Sequence, residues 1–208
     1  SANTVLLTGP VAVTQGKNEL RGRRLFFNRA TSKMTLTAAG AGPGRISARF
    51  SQAGGARDVN AAADKPKRGV SFGGDFKTDP NAPVDVTAER LDVDDASKQA
   101  VFTGDVRAAQ GGFQLHAAEL TAIYTGAAGL GDGAASGKAD SQDAAKLTRI
   151  KAKKNVQITS KEGQKATGDW ADYDTKANSV TLGGDVIMTQ GKNVVRGTRL
   201  VIDMTSGE

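Results

Sequence analysis

Val180-Thr-Leu-Gly-Gly-Asp-Val-Ile-Met-Thr-Gln-Gly-Lys-Asn-Val-Val-Arg-Gly-Thr-Arg-Leu-Val-Ile-Asp203 decides the fold class of this chain, because most of the remaining sequence is a variation on it. Apolar residues alternate at Val180/Leu182 and at Val186/Met188, Gln190-Gly-Lys-Asn193 supplies a turn, and alternation resumes at Leu200/Ile202. A period of two places every second side chain on one face of a strand. The unit reads as strand, tight bend, strand, turn, strand.

Moving outward, Val5 to Asn28 overlays the same stretch at an offset of 175 without a gap. Thr14-Gln-Gly-Lys-Asn18 is identical to Thr189-Gln-Gly-Lys-Asn193, and Arg-Gly-x-Arg-Leu follows in both, at Arg21–Leu25 and Arg196–Leu200. This is an internal repeat. A third copy runs from Ala100 to Ile123, with Phe102-Thr-Gly-Asp-Val106 and a bend at Gln110-Gly-Gly112. A fourth, shorter in its bend region, runs from Ile150 through Thr159 to Asp174, and a half copy lies at Thr87–Asp94. The joints Asn28–Met34, Asp94–Ala100 and Asp174–Val180 open on Asp or Asn and reach an apolar residue six positions later. Asp and Asn bond their own backbone in turns, so the joints read as hairpin loops. Asp203 opens another joint that the sequence shown does not complete, and Ser1–Val5 resembles the end of one; both ends are expected to leave strands with unpaired edges.

The copies agree on one apolar face. Val5, Leu7, Val11 and Val13 align with Ala100, Phe102, Val106 and Ala108, with Ile150, Ala152, Val156 and Ile158, and with Val180, Leu182, Val186 and Met188. Strands with one apolar and one polar face fit an all-β chain whose antiparallel sheet curls or doubles over. Gly9, Gly104 and Gly184 interrupt a strand at the same place in three copies, which predicts a bulge that curves the sheet. Residues 53–82 read as a linker or long loop and residues 125–145 as a mobile excursion.

Composition limits the chemistry. Among 208 residues, 38% are apolar, 5% aromatic and 26 are Gly, so an interior will be lined by small and aliphatic side chains. The absence of cysteine removes disulfides, thiolate metal sites and cysteine nucleophiles. No run of about 18 apolar residues would span a bilayer as a helix. No signal peptide opens the sequence, so export would imply a processed or trimmed form. The net charge of +6 sits at one end: of the residues 1–52, Lys17, Arg21, Arg23, Arg24, Arg29, Lys33, Arg45 and Arg49 face a single acid, Glu19. Such a basic end attracts anionic partners.

No catalytic constellation is found. His116, the only histidine, occupies the repeat position of Arg21 and Arg196 and reads as an exposed strand residue. Asp92, Asp94 and Asp95 read as a solvated turn, and Gly42-Pro-Gly44 and Gly73-Gly74 lack the residues of a phosphate loop. No metal and no cofactor are expected. Trp170, one place off the apolar register, marks either an outward contact surface or a local bulge. Lys17, Arg21 and Arg24 recur as Lys192, Arg196 and Arg199, either as a solvated face or as a rim that meets phosphate. Nucleic acid is disfavoured because the repeats carry few exposed stacking aromatics.

Thr87-Ala-Glu-Arg-Leu-Asp-Val-Asp94, Ala100-Val-Phe-Thr-Gly-Asp-Val106, Ala166-Thr-Gly-Asp-Trp-Ala-Asp-Tyr-Asp174 and Val180-Thr-Leu-Gly-Gly-Asp-Val186 together resemble the LptA/OstA-like family of periplasmic lipopolysaccharide transport proteins. The resemblance is continuous over residues 83–208, while residues 1–52 resemble the C-terminal part of such a domain. It implies a slightly open β-jellyroll of two facing antiparallel sheets, non-enzymatic, periplasmic, holding the acyl chains of lipopolysaccharide (lipid A) and stacking head to tail between LptC-like and LptD-like proteins. Such an interior would be lined by Val5, Leu7, Val11, Leu25, Phe27, Phe102, Val106, Leu120, Ile150, Val156, Ile158, Tyr173, Val180, Leu182, Val186, Met188, Leu200 and Ile202, with Lys17, Arg21, Arg24, Lys192, Arg196 and Arg199 available to a phosphorylated headgroup. The rival reading is a structural or adhesive β-repeat protein that self-assembles through edge strands around a dry core.

Overall fold

The computed structural model describes residues 3–15, 17–38, 44–50, 82–126 and 145–205. Residues 53–81 of the expected linker and 127–144 of the expected excursion lie outside them. Twelve strands follow in order: β1 (Thr4–Gln15), β2 (Asn18–Asn28), β3 (Lys33–Thr37), β4 (Ile46–Phe50), β5 (Val84–Ala88), β6 (Arg90–Asp94), β7 (Gln99–Gln110), β8 (Phe113–Thr125), β9 (Lys146–Thr159), β10 (Lys165–Asp174), β11 (Ser179–Gln190) and β12 (Asn193–Asp203). No helix occurs among the described residues.

Neighbours in sequence are neighbours in space. β7 pairs with β5 through Arg107–Gln110 and with β6 through Gln99–Thr103, so β5 and β6 are two pieces of one long strand broken at Glu89. β2 likewise pairs with β4 through Glu19–Arg21 and with β3 through Arg24–Asn28. The result is one antiparallel ladder with β1 at one edge and β12 at the other. The half copy at Thr87–Asp94 is thus the middle of a broken strand, and residues 1–50 are joined to 84–94 by the pairs β4–β5 and β3–β6.

Each long strand bends at its middle. The pairing slips by one residue between Thr8 and Val11, Thr103 and Val106, and Gly183 and Val186. Gly9, Gly104 and Gly184 sit at these slips with φ of 107°, 84° and 93°, a region that costs an L side chain energy and glycine almost none. The tight bend expected between two strands is therefore a bulge inside one strand. β9 makes the same bend without glycine, through Lys154 and Asn155 at φ 64° and 54°.

The bulges crease the ladder into two facing sheets. One sheet, the loop-side sheet, ends in the hairpin loops that Asp or Asn opens; the other, the turn-side sheet, ends in tight turns, two residues long between β7 and β8 and between β11 and β12, and residues 160–164 between β9 and β10. Phe50 of the turn-side sheet meets Phe102 of the loop-side sheet edge-to-face, with ring centroids 6.2 Å apart. At the loops, Asn28 Oδ1 accepts from Ala30 N (3.0 Å), Asp94 Oδ1 from Ala96 N (3.1 Å) and Asp174 Oδ1 from Lys176 N (2.9 Å), as the sequence of the joints predicts. Asp203 makes the same contact with Thr205 N at 2.7 Å. Gln110↔Phe113 and Gln190↔Asn193 close the two-residue turns, with a left-handed glycine first in each, Gly111 and Gly191.

Candidate functional site

The space between the sheets is the candidate site, and the strand period builds it. Along the strands the inward side chains are apolar and most outward ones are polar or charged, with Leu6, Phe26, Trp170 and Val201 among the outward apolar exceptions. Of the apolar wall read from the repeats, Val11, Leu25, Phe102, Val106, Leu120, Ile150, Val156, Ile158, Tyr173, Val180, Leu182, Val186, Met188 and Ile202 are buried in one cluster. Val5, Phe27 and Leu200 are half-buried beside it. Leu7 shares their inward register, opposite Leu25, but is 46% exposed because β1 has no strand beyond it among the described residues.

Near the crease the interior is closed: Phe102, Leu182 and Leu36 are fully buried. Room remains toward the open edges, in two recesses. The first, a narrow recess of about 50 Å³ partly open to solvent, lies between Val13, Leu20 and Phe50 of the turn-side sheet and Met34, Leu91, Val93, Ala100 and Tyr124 of the loop-side sheet. The second, about 30 Å³, lies between Val84, Ala108, Phe113 and Leu115 on one side and Leu120, Ile150, Ala171, Tyr173, Val180 and Met204 on the other. Most of these residues were not singled out by the repeats. Met34, Leu91 and Val93 lie on short strands whose alternation is cut by a bend, and Met204 follows the last strand.

One polar bridge crosses each open edge. Asn18 Nδ2 donates to Ala145 O (3.3 Å) at the first recess. At the second, Tyr173 Oη on the loop-side sheet lies 3.0 Å from Asn178 Oδ1 and 3.3 Å from Gln110 Oε1 on the turn-side sheet, while Gln110 Nε2 donates to Ala82 O (3.2 Å). Tyr124 Oη donates to Asp95 Oδ1 (3.1 Å); burial, reinforced by that carboxylate, raises the phenol's pKa above its usual value.

The outer surface carries the charge. Arg21 and Arg24 project from β2, and Arg196 and Arg199 from β12, so the two sets lie at opposite ends of the ladder. All four are exposed, beside the crease, away from the open edges; Lys17 and Lys192 sit in the turns at the open edge of the turn-side sheet. His116 is outward on β8, hydrogen-bonded to Asp105, whose carboxylate also meets Arg45 (2.6 Å) and Arg107 (3.1 Å). His116, then Arg45, hold the Asp105 carboxyl down to about 2. This cluster ties β7 to β8 and to the entry of β4. Asp92 bonds Arg90 and Thr35, and Asp95 bonds Lys98 (3.0 Å), so these acids are engaged in local contacts. Trp170 is outward and lies at a bulge. Asp169 and Trp170 both turn outward at a register slip, and the indole, 41% exposed, lies over Gly183.

Fold and interior together define a protein of jellyroll type, two antiparallel sheets around an apolar space that reaches the surface along their open edges. Residues 85–208 match the family described as LptA/(LptD N-terminal domain) LPS transport protein. The chain belongs to that family, and its role lies in lipopolysaccharide transport. It is 29% identical over 165 residues to an uncharacterized protein of Rhizobium meliloti (strain 1021), covering 79% of this chain and 83% of that one. Among solved structures it is similar to LptH of Pseudomonas aeruginosa, described as the LptA-homologous periplasmic component of the lipopolysaccharide transport device, at 22% identity and a TM-score of 0.49, covering 63% of this chain and 82% of that one.

Proposed function

We propose that this chain is a non-enzymatic periplasmic carrier that holds the acyl chains of lipopolysaccharide between its two sheets and links LptC-like and LptD-like partners through its edge strands. The observation that carries the reading is the apolar lining of the two recesses, which lie where the sheets part and not where they are creased. Each methylene moved from water into such a space is worth about 0.8 kcal/mol. A slit open along one side lets chains enter sideways while the sugar and phosphate portion stays hydrated. Lys17 and Lys192, in turns at that side, are the basic residues best placed to meet phosphate. β1 and β12, each paired on one side only among the described residues, accept further strands by backbone hydrogen bonds.

A second reading, a self-assembling β-repeat protein with a dry core, is favoured by the complete burial of Phe102, Leu120 and Leu182. Binding separates the two. Titration of the protein with purified lipopolysaccharide, followed by native mass spectrometry, is expected to give a saturable complex that Leu115→Asp, inside the second recess, weakens at least tenfold. A protein that takes up no lipopolysaccharide would support the dry-core reading.

A further inference from the structure

A third recess, about 360 Å³, lies on the outer face of the turn-side sheet, over β5, β7, β8 and β9. It is several times larger than either inner recess and falls within the range of about 300–1,000 Å³ usual for small-ligand sites. Ala108 and Leu115 line both it and the second inner recess, so the two lie back to back on the two faces of β7 and β8. A molecule bound outside is separated from the interior by the sheet.

The strand register explains the hollow. Asp85, Ala109, Gln114 and Thr159 are cross-strand neighbours in one outward row, and Thr87, Arg107, His116 and Gln157 in the next. Ala109 has the shortest side chain of the eight, so the surface sinks there. The threonine hydroxyls and glutamine amides in these rows both donate and accept hydrogen bonds. Gln114, Gln157 and Thr159 make no side-chain hydrogen bond to other described residues. Arg107 gives one terminal nitrogen to Asp105 at 3.1 Å, leaving the rest of its fork unengaged among the described residues. Asp85 is held by Arg49 at 2.6 Å, and Asp105 by Arg45 at 2.6 Å as well as by Arg107. Three arginines thus meet two carboxylates, and one positive charge is left over.

These features select among ligands. All four strands are paired on both sides here, so no edge is open to an added peptide strand. Neither row holds an aromatic or large aliphatic side chain, which removes both the stacking surface that single-stranded nucleic acid uses and the anchors typical of protein partners. Hydroxyl-rich ligands remain, because each sugar hydroxyl also donates and accepts and so pairs with Thr or Gln in either sense. The leftover positive charge and the fork of Arg107 favour a carboxylate on that ligand. We propose that this outer recess binds a saccharide that carries a carboxylate, its hydroxyls on Gln114, Gln157 and Thr159 and its carboxylate on Arg107. Arg107 and Gln157 are two strand spacings apart, roughly 10 Å, a span that an oligosaccharide covers and a small anion does not. The site is separate from the acyl-chain space and does not rest on the carrier reading.

The test titrates the full chain, by isothermal calorimetry, with oligogalacturonate, with neutral dextran of matching length and with polyglutamate. Oligogalacturonate should bind saturably and at least fivefold more tightly than dextran or polyglutamate. Ala109→Phe fills the hollow and should weaken oligogalacturonate binding at least tenfold. Gln157→Ala should weaken it about fivefold, the loss of one hydrogen bond. Arg107→Gln should abolish the preference over dextran, and Thr121→Ala, outward on the loop-side sheet, should change nothing. Circular dichroism verifies that each variant is folded. Saturating lipopolysaccharide should leave oligogalacturonate binding unchanged, because the sheet lies between the two sites. No oligogalacturonate binding by the wild type, wild-type affinity in folded Ala109→Phe and Gln157→Ala, or equal affinity for dextran or polyglutamate would overturn the saccharide site. Competition by lipopolysaccharide would overturn its separateness. None of these results bears on the carrier reading, which lipopolysaccharide uptake tests on its own.

Discussion

At the scale of residues, the crease is built by glycines and by what lies on them. Gly184 has φ +93°, and a Cβ there would come within 2.1 Å of Asp169 Oδ2; Gly104 stands in the same relation to Glu89. Gly183 is covered by the Trp170 indole, which a Cβ would strike at 2.1 Å. An aromatic laid over a strand glycine repays the side chain the glycine lacks. Trp170 therefore needs no ligand to explain it. Gly184→Ala is expected to destabilise the fold by about 1–3 kcal/mol, from backbone strain and displacement of Asp169. Gly197→Ala, at an ordinary φ with only the Arg199 carbonyl nearby at 3.9 Å, should stay within about 0.5 kcal/mol of the wild type. Urea denaturation measures both. Equal effects at the two positions would mean that the bulge does not require glycine.

At the level of the strands, the ladder has two edges, and both leave apolar residues uncovered. β1 leaves Leu6 and Leu7 exposed, and β12 leaves Val194, Val195 and Val201 exposed, each at about half of full accessibility. Leu7 and Val195 face inward by register, opposite Leu25 and Met188, and are uncovered because no further strand is present beside them among the described residues. A second copy adding its β1 to β12 would extend both the backbone ladder and the apolar wall. A lysine on an edge strand blocks such addition. Leu7→Lys and Val195→Lys should therefore each suppress concentration-dependent association in sedimentation experiments, whereas a mixture of the two should pair through the remaining intact edges and stop at dimers. Association that survives both changes, or a mixture that remains monomeric, would contradict head-to-tail joining.

At the scale of the molecule, what was legible in the sequence was what short-range chemistry dictates. The Gln-Gly turns, the Asp and Asn loops and the glycine bulges each involve a few consecutive residues, so their order declared the antiparallel all-β ladder. The broken strands were not legible. Ile46–Phe50 and Val84–Ala88 alternate inside and outside, but each is only five residues long, and no local pattern says that they share a long partner strand with Lys33–Thr37 and Arg90–Asp94. The inside also changes parity at the crease on β2, β8, β10 and β12: Ala171 and Tyr173 face inward, as does Gly168 beyond the slip, with Asp169 and Trp170 both outward between them. The recesses depend on which far segments meet, such as Tyr173 with Gln110, and no local pattern encodes that. Lipopolysaccharide acyl chains are proposed to occupy the space between the sheets. Photo-reactive phenylalanine analogues at Leu115 and Val180, inward in the second recess, and at Gln114 and Thr181, one residue away and outward, test it most directly in cells making lipopolysaccharide. Adducts are expected at Leu115 and Val180 and none at Gln114 and Thr181; equal labelling at all four positions, or labelling confined to the outward pair, would mean that the acyl chains do not lie between the sheets.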